Sequence, residues 1–260
     1  MATARAELGL VPDGMTETEW QTRCDLAAAY QLVDLYGWSD LSGTHTSARI
    51  PGTEHFLINP YGVLFDQVTA SNLIKVDQEG NVLSETDYPF NPAGFIIHSC
   101  IHVARPDVQC VMHTHTRAGN AVAMQEGGLL PLNQKALIIL GWTAYHEYEG
   151  VVLDTGEQER LVASLGNKNI LILRNHGLMT CGDSIGAAFV WMHRLEAACR
   201  YQVDGLAGGV PLHYPSEEVQ QKTIEQGLKI FAPNGHARSG MEWPSLLKQL
   251  ERERGTSYRT

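Results

Sequence analysis

The chain has 260 residues, 43% of them hydrophobic and 18% charged, with a formal net charge of −10 at pH 7. That length buries a sizeable core in one domain, the composition lacks a disorder signature, and an acidic surface repels nucleic acid and anionic membranes, so neither is an expected partner. No apolar run reaches the about 18 residues of a membrane span and no signal-peptide pattern opens the chain, which makes the cytoplasm its expected location.

Residues 1–15 are small and polar around Pro12-Asp13-Gly14 and read as a flexible arm; residues 16–260 read as a single domain with a C-terminal helical tail. From Thr16 to Tyr36, Trp20, Cys24, Leu26, Ala27, Tyr30, Val33 and Leu35 recur at near-helical spacing, with Thr16 or Thr18 as N-cap and Gly37 as the stop. Short strands follow around Thr46–Ile50 and Glu54–Ile58, joined at Pro51-Gly52. Strands at Leu73–Val76 and near Val82–Leu83 flank a turn at 77–81. Pro92 suits the first position of a helix that runs through Val103 and stops before Pro106. A strand at 108–112, a helix from Ala118, a strand at 136–140 and a helix over Asp154–Leu165 come next. After a strand at 170–173, Asp183 or Ser184 caps a long helix ending at Gly205 to Gly209. Helices at 216–231 and 244–253 close the chain, and Glu251-Arg252-Glu253-Arg254 reads as an exposed, charged helix end. Five scattered cysteines without CxxC spacing favour reduced, mostly buried thiols. The alternation of elements predicts an α/β fold.

The run Val108-Gln109-Cys110-Val111-Met112 leads into His113-Thr114-His115-Thr116-Arg117. Residues i and i+2 of a strand share a face, so His113 and His115 project side by side from a strand end while Thr114 turns away. Two neutral imidazoles at that spacing suit one divalent ion such as Zn²⁺, Fe²⁺, Ni²⁺ or Cu²⁺. A third ligand is available where Ile170-Leu171-Ile172-Leu173 runs into Arg174-Asn175-His176-Gly177. There the Gly permits a tight turn or a close backbone approach. His98 and His102 stand four apart on the 92–103 helix, a spacing that serves metal ligation and core hydrogen bonding alike.

The segments Asn91–Thr116 and Ile170–Gly182, at this separation, resemble the class II aldolase/adducin family, and the likeness extends over roughly residues 16–210. The resemblance implies a three-layer α/β/α fold with a mixed central sheet. It also implies a catalytic metal on His113, His115 and His176, with Zn²⁺ the expected ion and Fe²⁺ or Mn²⁺ the alternatives. A small-molecule substrate and a homotetramer with sites at subunit interfaces follow from it too. In the family's sugar-phosphate aldolases a Gly- and Asn-rich loop holds the phosphate; the matching positions here are Thr44 and His45. His45 is therefore a candidate pocket acid, base or hydrogen-bond donor, or else a turn residue. Asn59-Pro60-Tyr61-Gly62 matches a second phosphate-loop segment, or is an ordinary turn. Lys135, after Gln134, falls near an aldolase position that protonates the product; it reads as a carboxylate ligand or as a solvated side chain. Tyr258 matches the tails that cap aldolase pockets.

Two positions depart from an aldolase. The carboxylate that moves a proton on carbon falls on Gly94, and the phosphate clamp before it falls on Pro92 and Ala93. Losing that carboxylate costs on the order of 10²–10⁴ in rate, so cleavage of a sugar phosphate is not expected. In these departures Gly94-Phe95, His98-Ser99, Ala104-Arg105-Pro106-Asp107-Val108, Phe56-Leu57-Ile58-Asn59-Pro60 and Leu173-Arg174-Asn175-His176-Gly177 look like the adducin head. Adducin binds actin and spectrin largely through a long tail with a basic end; this acidic chain ends at 260, so the expected likeness concerns the head. The sequence reads as a divalent-metal-dependent lyase, aldolase-like or a decarboxylase, for a small non-phosphorylated hydroxy-carbonyl or hydroxy-acid substrate. Loss of CO₂ needs an electron sink but no proton abstraction from carbon. The alternatives are a non-catalytic, adducin-like binding or structural protein of the cytoskeletal type, and a non-haem iron oxygenase, whose sites more often pair two His with a carboxylate. Candidate substrate contacts are Thr44, His45, Gly62, Gly94 and Lys135.

Overall fold

A computed structural model describes residues 11–150, 156–235 and 240–260. Helix α1 (Glu17–Leu35) begins where the Thr16 hydroxyl accepts the Glu19 amide at 3.1 Å, and Gly37 follows its end at φ 70°. Strands β1 (His45–Arg49) and β2 (Phe56–Ile58) form the hairpin expected around Pro51-Gly52, and β3 (Ile74–Val76) pairs with β2. Val82 adds only a single bridge to Val76. The order continues through α2 (Pro92–Ala104), β4 (Cys110–Thr114), α3 (Arg117–Ala123), α4 (Gln134–Leu140), β5 (Thr143–His146) and α5 (Gly156–Leu165). It ends with β6 (Ile170–Leu173), β7 (Gly177–Gly182), α6 (Ile185–Ala207), α7 (Glu217–Ile230) and α8 (Trp243–Arg254).

The strand expected at 136–140 is instead the helix α4. Its apolar run, Ala136 to Leu140, is too short to show a period, and burial of Ala136, Leu137 and Ile139 decides it in favour of helix. Asn133 caps it, its side chain accepting the Ala136 amide at 3.1 Å. The strand expected at 108–112 sits two residues later, which places His113 inside β4 and His115 just past its end. Strands β5 and β7 were not foreseen. Of the expected arm, residues 1–10 lie outside the described residues, and Val11 and Met15 pack against Trp20, Cys24 and Ala70. The expected start of α5 at Asp154 also lies outside them.

Seven strands make one mixed sheet in the order β3-β2-β1-β4-β7-β6-β5, with only β5 and β6 parallel. Alternation along β4 feeds two cores, one on each face. Cys110 and Met112 of β4 join Leu26, Tyr30, Ile172 and Phe189 in the larger core, under α1 and α6. Val111 joins Ile97 and Ile101 of α2 and Leu161 and Leu165 of α5 in the other. This is the three-layer α/β/α arrangement, and it fixes the face on which His113 emerges: the same as Val111, under α2.

Tyr258, expected near a pocket, is buried in the larger core, with its carbonyl accepting the Ala70 amide. All five cysteines are free thiols and four are buried. Among the described residues no helix is long and apolar enough to cross a membrane.

Candidate metal centre

Three elements converge on one spot. β4 delivers His113 and, one step past its end, His115. The tight connection Arg174-Asn175-His176 between β6 and β7 delivers the third ring, with Leu173 paired to Gly177. Asn175 sits at φ 56°, a left-handed conformation that Asn tolerates better than most residues. A Cβ on Gly177 would stand 2.6 Å from the Thr114 carbonyl oxygen and 3.0 Å from His115 Cδ2, so the close approach anticipated for this Gly is real. Ring centroids lie 4.6 Å apart for His113 and His115, 4.7 Å for His113 and His176, and 5.0 Å for His115 and His176. One ligand nitrogen from each ring lies within 4.8 Å of the others, and among the described residues no carboxylate joins that group.

Hydrogen bonding determines which nitrogens face the centre. His113 Nδ1 lies 2.9 Å from the Leu178 carbonyl, which can only accept, so Nδ1 donates and Nε2 is left bare. His115 Nδ1 donates to the Asp40 carboxylate at 3.0 Å, which turns its Nε2 toward the same point. These two Nε2 atoms are 2.8 Å apart. Two nitrogens this close need a proton or a cation between them, and a donor set of this kind suits a divalent ion. Burial holds His113 well below the ordinary imidazole pKa, and burial aided by His115 lowers His176 to about 4, so both are neutral ligands near pH 7. Asp40 is the partner that sequence reasoning missed. It lies in the loop before β1, and only the folded chain brings it to His115.

His45 opens β1 directly opposite His113, with ring centroids 5.2 Å apart. Gly94, in the first turn of α2, lies against it: a Cβ there would be 2.4 Å from His45 Cδ2 and 2.5 Å from Nε2. The imidazole thus fills the space in which any side chain at 94 would begin. Burial, with smaller contributions from His115 and His176, lowers the His45 pKa to about 3.

The remaining candidates are not part of the ligand group. Thr44 is fully buried, and its hydroxyl has no hydrogen-bond partner among the described residues. Gly62 occupies an exposed turn at φ 89° with nothing within 4 Å of a Cβ. Lys135 is exposed at the start of α4, where its charge is felt by His193. His98 and His102 take the hydrogen-bonding alternative and do not belong to the ligand group. Open clefts of about 400 and 500 Å³ lie elsewhere on the chain, whereas the cavity that reaches His176 measures about 10 Å³.

The sequence profile of the Class II Aldolase and Adducin N-terminal domain matches residues 24–203. A protein of Pseudomonas aeruginosa, provisionally named an aldolase class 2 protein, is 48% identical over 244 residues, 92% of each chain. Alpha-adducin of Rattus norvegicus is 47% identical over 189 residues, which is 71% of this chain and 26% of that protein. Among solved structures, an aldolase II superfamily protein from Pseudomonas syringae superposes with a TM-score of 0.89 at 48% identity, covering 97% of this chain and 100% of that one. L-fuculose 1-phosphate aldolase from Glaciozyma antarctica PI12 superposes with a TM-score of 0.79 at 29% identity, covering 96% and 97%.

Proposed function

The chain belongs to the class II aldolase and adducin family, and from that premise we propose that it is a divalent-metal-dependent lyase. It breaks a carbon–carbon bond, by aldol cleavage or decarboxylation, in a small non-phosphorylated hydroxy-carbonyl or hydroxy-acid substrate. The observation that carries this reading is the pair of Nε2 atoms on His113 and His115, 2.8 Å apart, with His176 beside them. His113, His115 and His176 hold the ion, with Zn²⁺ preferred over Fe²⁺ or Mn²⁺ for an all-imidazole set. The Leu178 carbonyl and Asp40 orient two of the rings. When bound, the ion supplies a Lewis acid that stabilises negative charge on adjacent substrate oxygens. Gly94, Pro92 and Ala93 supply neither a carboxylate nor hydroxyls, which argues for a substrate without phosphate. The reading includes a cytoplasmic homotetramer. The homotetramer is what membership of the family suggests, and the cavity that reaches His176 among the described residues, about 10 Å³, leaves a role for walls from a neighbouring copy.

A second reading, a non-catalytic binding protein, is favoured by the identity to alpha-adducin together with Gly94. The chain spans about a quarter of alpha-adducin (26%), so adducin's partners do not transfer with it. The test is a panel of 2-hydroxy acids, 2-keto acids and hydroxyketones, followed by carbon-13 NMR and CO₂ release with the zinc-loaded protein. Cleavage of one class that stops on chelation and in His176→Ala supports the lyase. Zinc binding without turnover of any panel member supports the second reading.

A further inference from the structure

Behind His45 runs a line of buried polar groups that the ligand set does not use. His45 Nδ1 lies 3.0 Å from His98 Nε2, His98 Nδ1 lies 2.8 Å from Ser47 Oγ, and Ser47 Oγ lies 2.8 Å from His102 Nε2. The line ends where His102 Nδ1 meets the Val108 carbonyl at 3.3 Å. His45 and Ser47 share one face of β1, two residues apart, and His98 and His102 share one face of α2, four apart. Strand and helix are thus stitched together by alternating partners. His45 is 4% exposed, Ser47 3%, His98 1% and His102 0%, so bulk water offers these inner atoms no substitute partners.

The far end fixes every proton in the line. A carbonyl can only accept, so His102 Nδ1 carries the hydrogen and its Nε2 is bare. Ser47 has one O–H, and it must donate to that bare nitrogen. Its oxygen can then only accept, from His98 Nδ1. His98 Nε2 is bare in consequence and accepts from His45 Nδ1. His45 is left with an unprotonated Nε2, the atom that lies 2.5 Å from where a Gly94 Cβ would be. Burial supports this ordering, since it lowers the His102 pKa to about 3 and holds His98 well below its ordinary value, keeping both rings neutral.

We propose that this one-way hydrogen-bond line sets His45 in the tautomer with a bare Nε2 on the edge of the ring that lies against Gly94, as the site's acceptor for a substrate hydroxyl. Ser47, His98 and His102 are positioning residues that act through His45. The proposal rests on the metal-centre reading for its location and deepens it. A substrate with a hydroxyl next to its metal-binding oxygen is preferred to the same molecule without it, because the hydroxyl donates to His45. His113 and His115 belong to the ligand group, whereas His45 lies outside it. The line therefore separates an acceptor for substrate from ligands for the ion.

The test begins with the metal-free full chain, labelled with nitrogen-15 at histidine, and long-range proton–nitrogen correlation at neutral pH. His45, His98 and His102 are expected as three Nδ1-protonated rings; a wild-type His45 protonated at Nε2 overturns the proposal without any variant being made. In Ser47→Ala, His102 keeps its tautomer while His98 and His45 lose theirs, and an unchanged His45 spectrum overturns it as well. Glycolate and acetate are then titrated into the zinc-loaded wild type and variant. The advantage of glycolate over acetate is expected to fall about tenfold in Ser47→Ala, and an equal loss for both anions overturns the hydroxyl assignment. Zinc titration of the same samples keeps the two readings apart. Three Nδ1-protonated rings in a chain that refuses zinc refute the metal chemistry alone, and zinc binding with a protonated His45 Nε2 refutes the line alone.

Discussion

Replacing Gly94 with Ala adds one methyl group whose carbon would stand 2.4 Å from His45 Cδ2 and 2.5 Å from Nε2. Non-bonded carbons rest at about 3.5–4.0 Å, so the ring must retreat by more than an ångström. It cannot do so freely, because its Nδ1 is tied to His98 at 3.0 Å and its centroid lies 4.4 Å from that of His98. Overpacking of this kind costs about 1–3 kcal/mol, and the fixed ring places Gly94→Ala in the upper part of that range. His45→Ala is also destabilising, since it empties the site and leaves His98 Nε2 without its donor. In the double variant the new methyl enters vacated space, so Gly94→Ala should cost less than about 0.5 kcal/mol there. The expected coupling energy is roughly 2 kcal/mol, well beyond the about 0.3–0.5 kcal/mol scatter of independent sites. Urea unfolding of the four proteins, followed by tryptophan fluorescence, measures it. Equal costs of Gly94→Ala with and without the imidazole would falsify the claim that His45 fills the space beside position 94.

Three further outcomes are expected. Asp40→Asn leaves the half-exposed loop folded but lets His115 turn, weakening zinc binding about 10–100-fold in a competition titration; unchanged affinity would mean that Asp40 does not orient the ring. Gly177→Ala drives a Cβ to 2.6 Å from the Thr114 backbone oxygen, which has no flexible side chain to yield. It should lower stability by about 2 kcal/mol or more and displace His176, and a variant with wild-type unfolding and zinc affinity would contradict that. The buried, neutral histidines also give stability a pH dependence. His102 is lowered from 6.5 to about 3, so its contribution is complete above pH 6.5 and is lost as pH falls toward 3, because the unfolded chain takes up a proton that the folded ring refuses. The slope is roughly 1.4 kcal/mol per pH unit for each such ring, or about 2 kcal/mol by pH 5. Urea unfolding at pH 7, 6 and 5 should follow it, and a flat profile would show that these rings are not held neutral.

What could be read from the sequence followed the range of each signal. The strand-end histidines were legible because alternation along β4 and the glycine after His176 are local features, and the α/β class followed from the order of the elements. The space that Gly94 leaves open was visible only as a missing carboxylate; that His45 occupies it needed the packing of α2 on β1. His98 and His102 showed their i, i+4 spacing, yet their partners lie more than fifty positions away at Ser47 and His45. Asp40 meets His115 across seventy-five positions and gave no local sign. The α4 misreading has a different origin. Ala136-Leu137-Ile138-Ile139-Leu140 fits a buried strand or a buried helix equally well, and the cap at Asn133 was the one local cue that separated them. β7 escaped notice because Gly177, Thr180 and Gly182 interrupt its apolar character, although its full burial comes from lying between β4 and β6.

The central claim is that His113, His115 and His176 together hold one divalent ion. Elemental mass spectrometry of the protein purified without added metal, beside His113→Ala and His176→Ala variants given zinc and then desalted, tests it most directly. One ion per chain in the wild type and far less than one in either variant is the predicted result. A wild type that stays empty even when zinc is supplied, or a variant that retains a full complement, would contradict it.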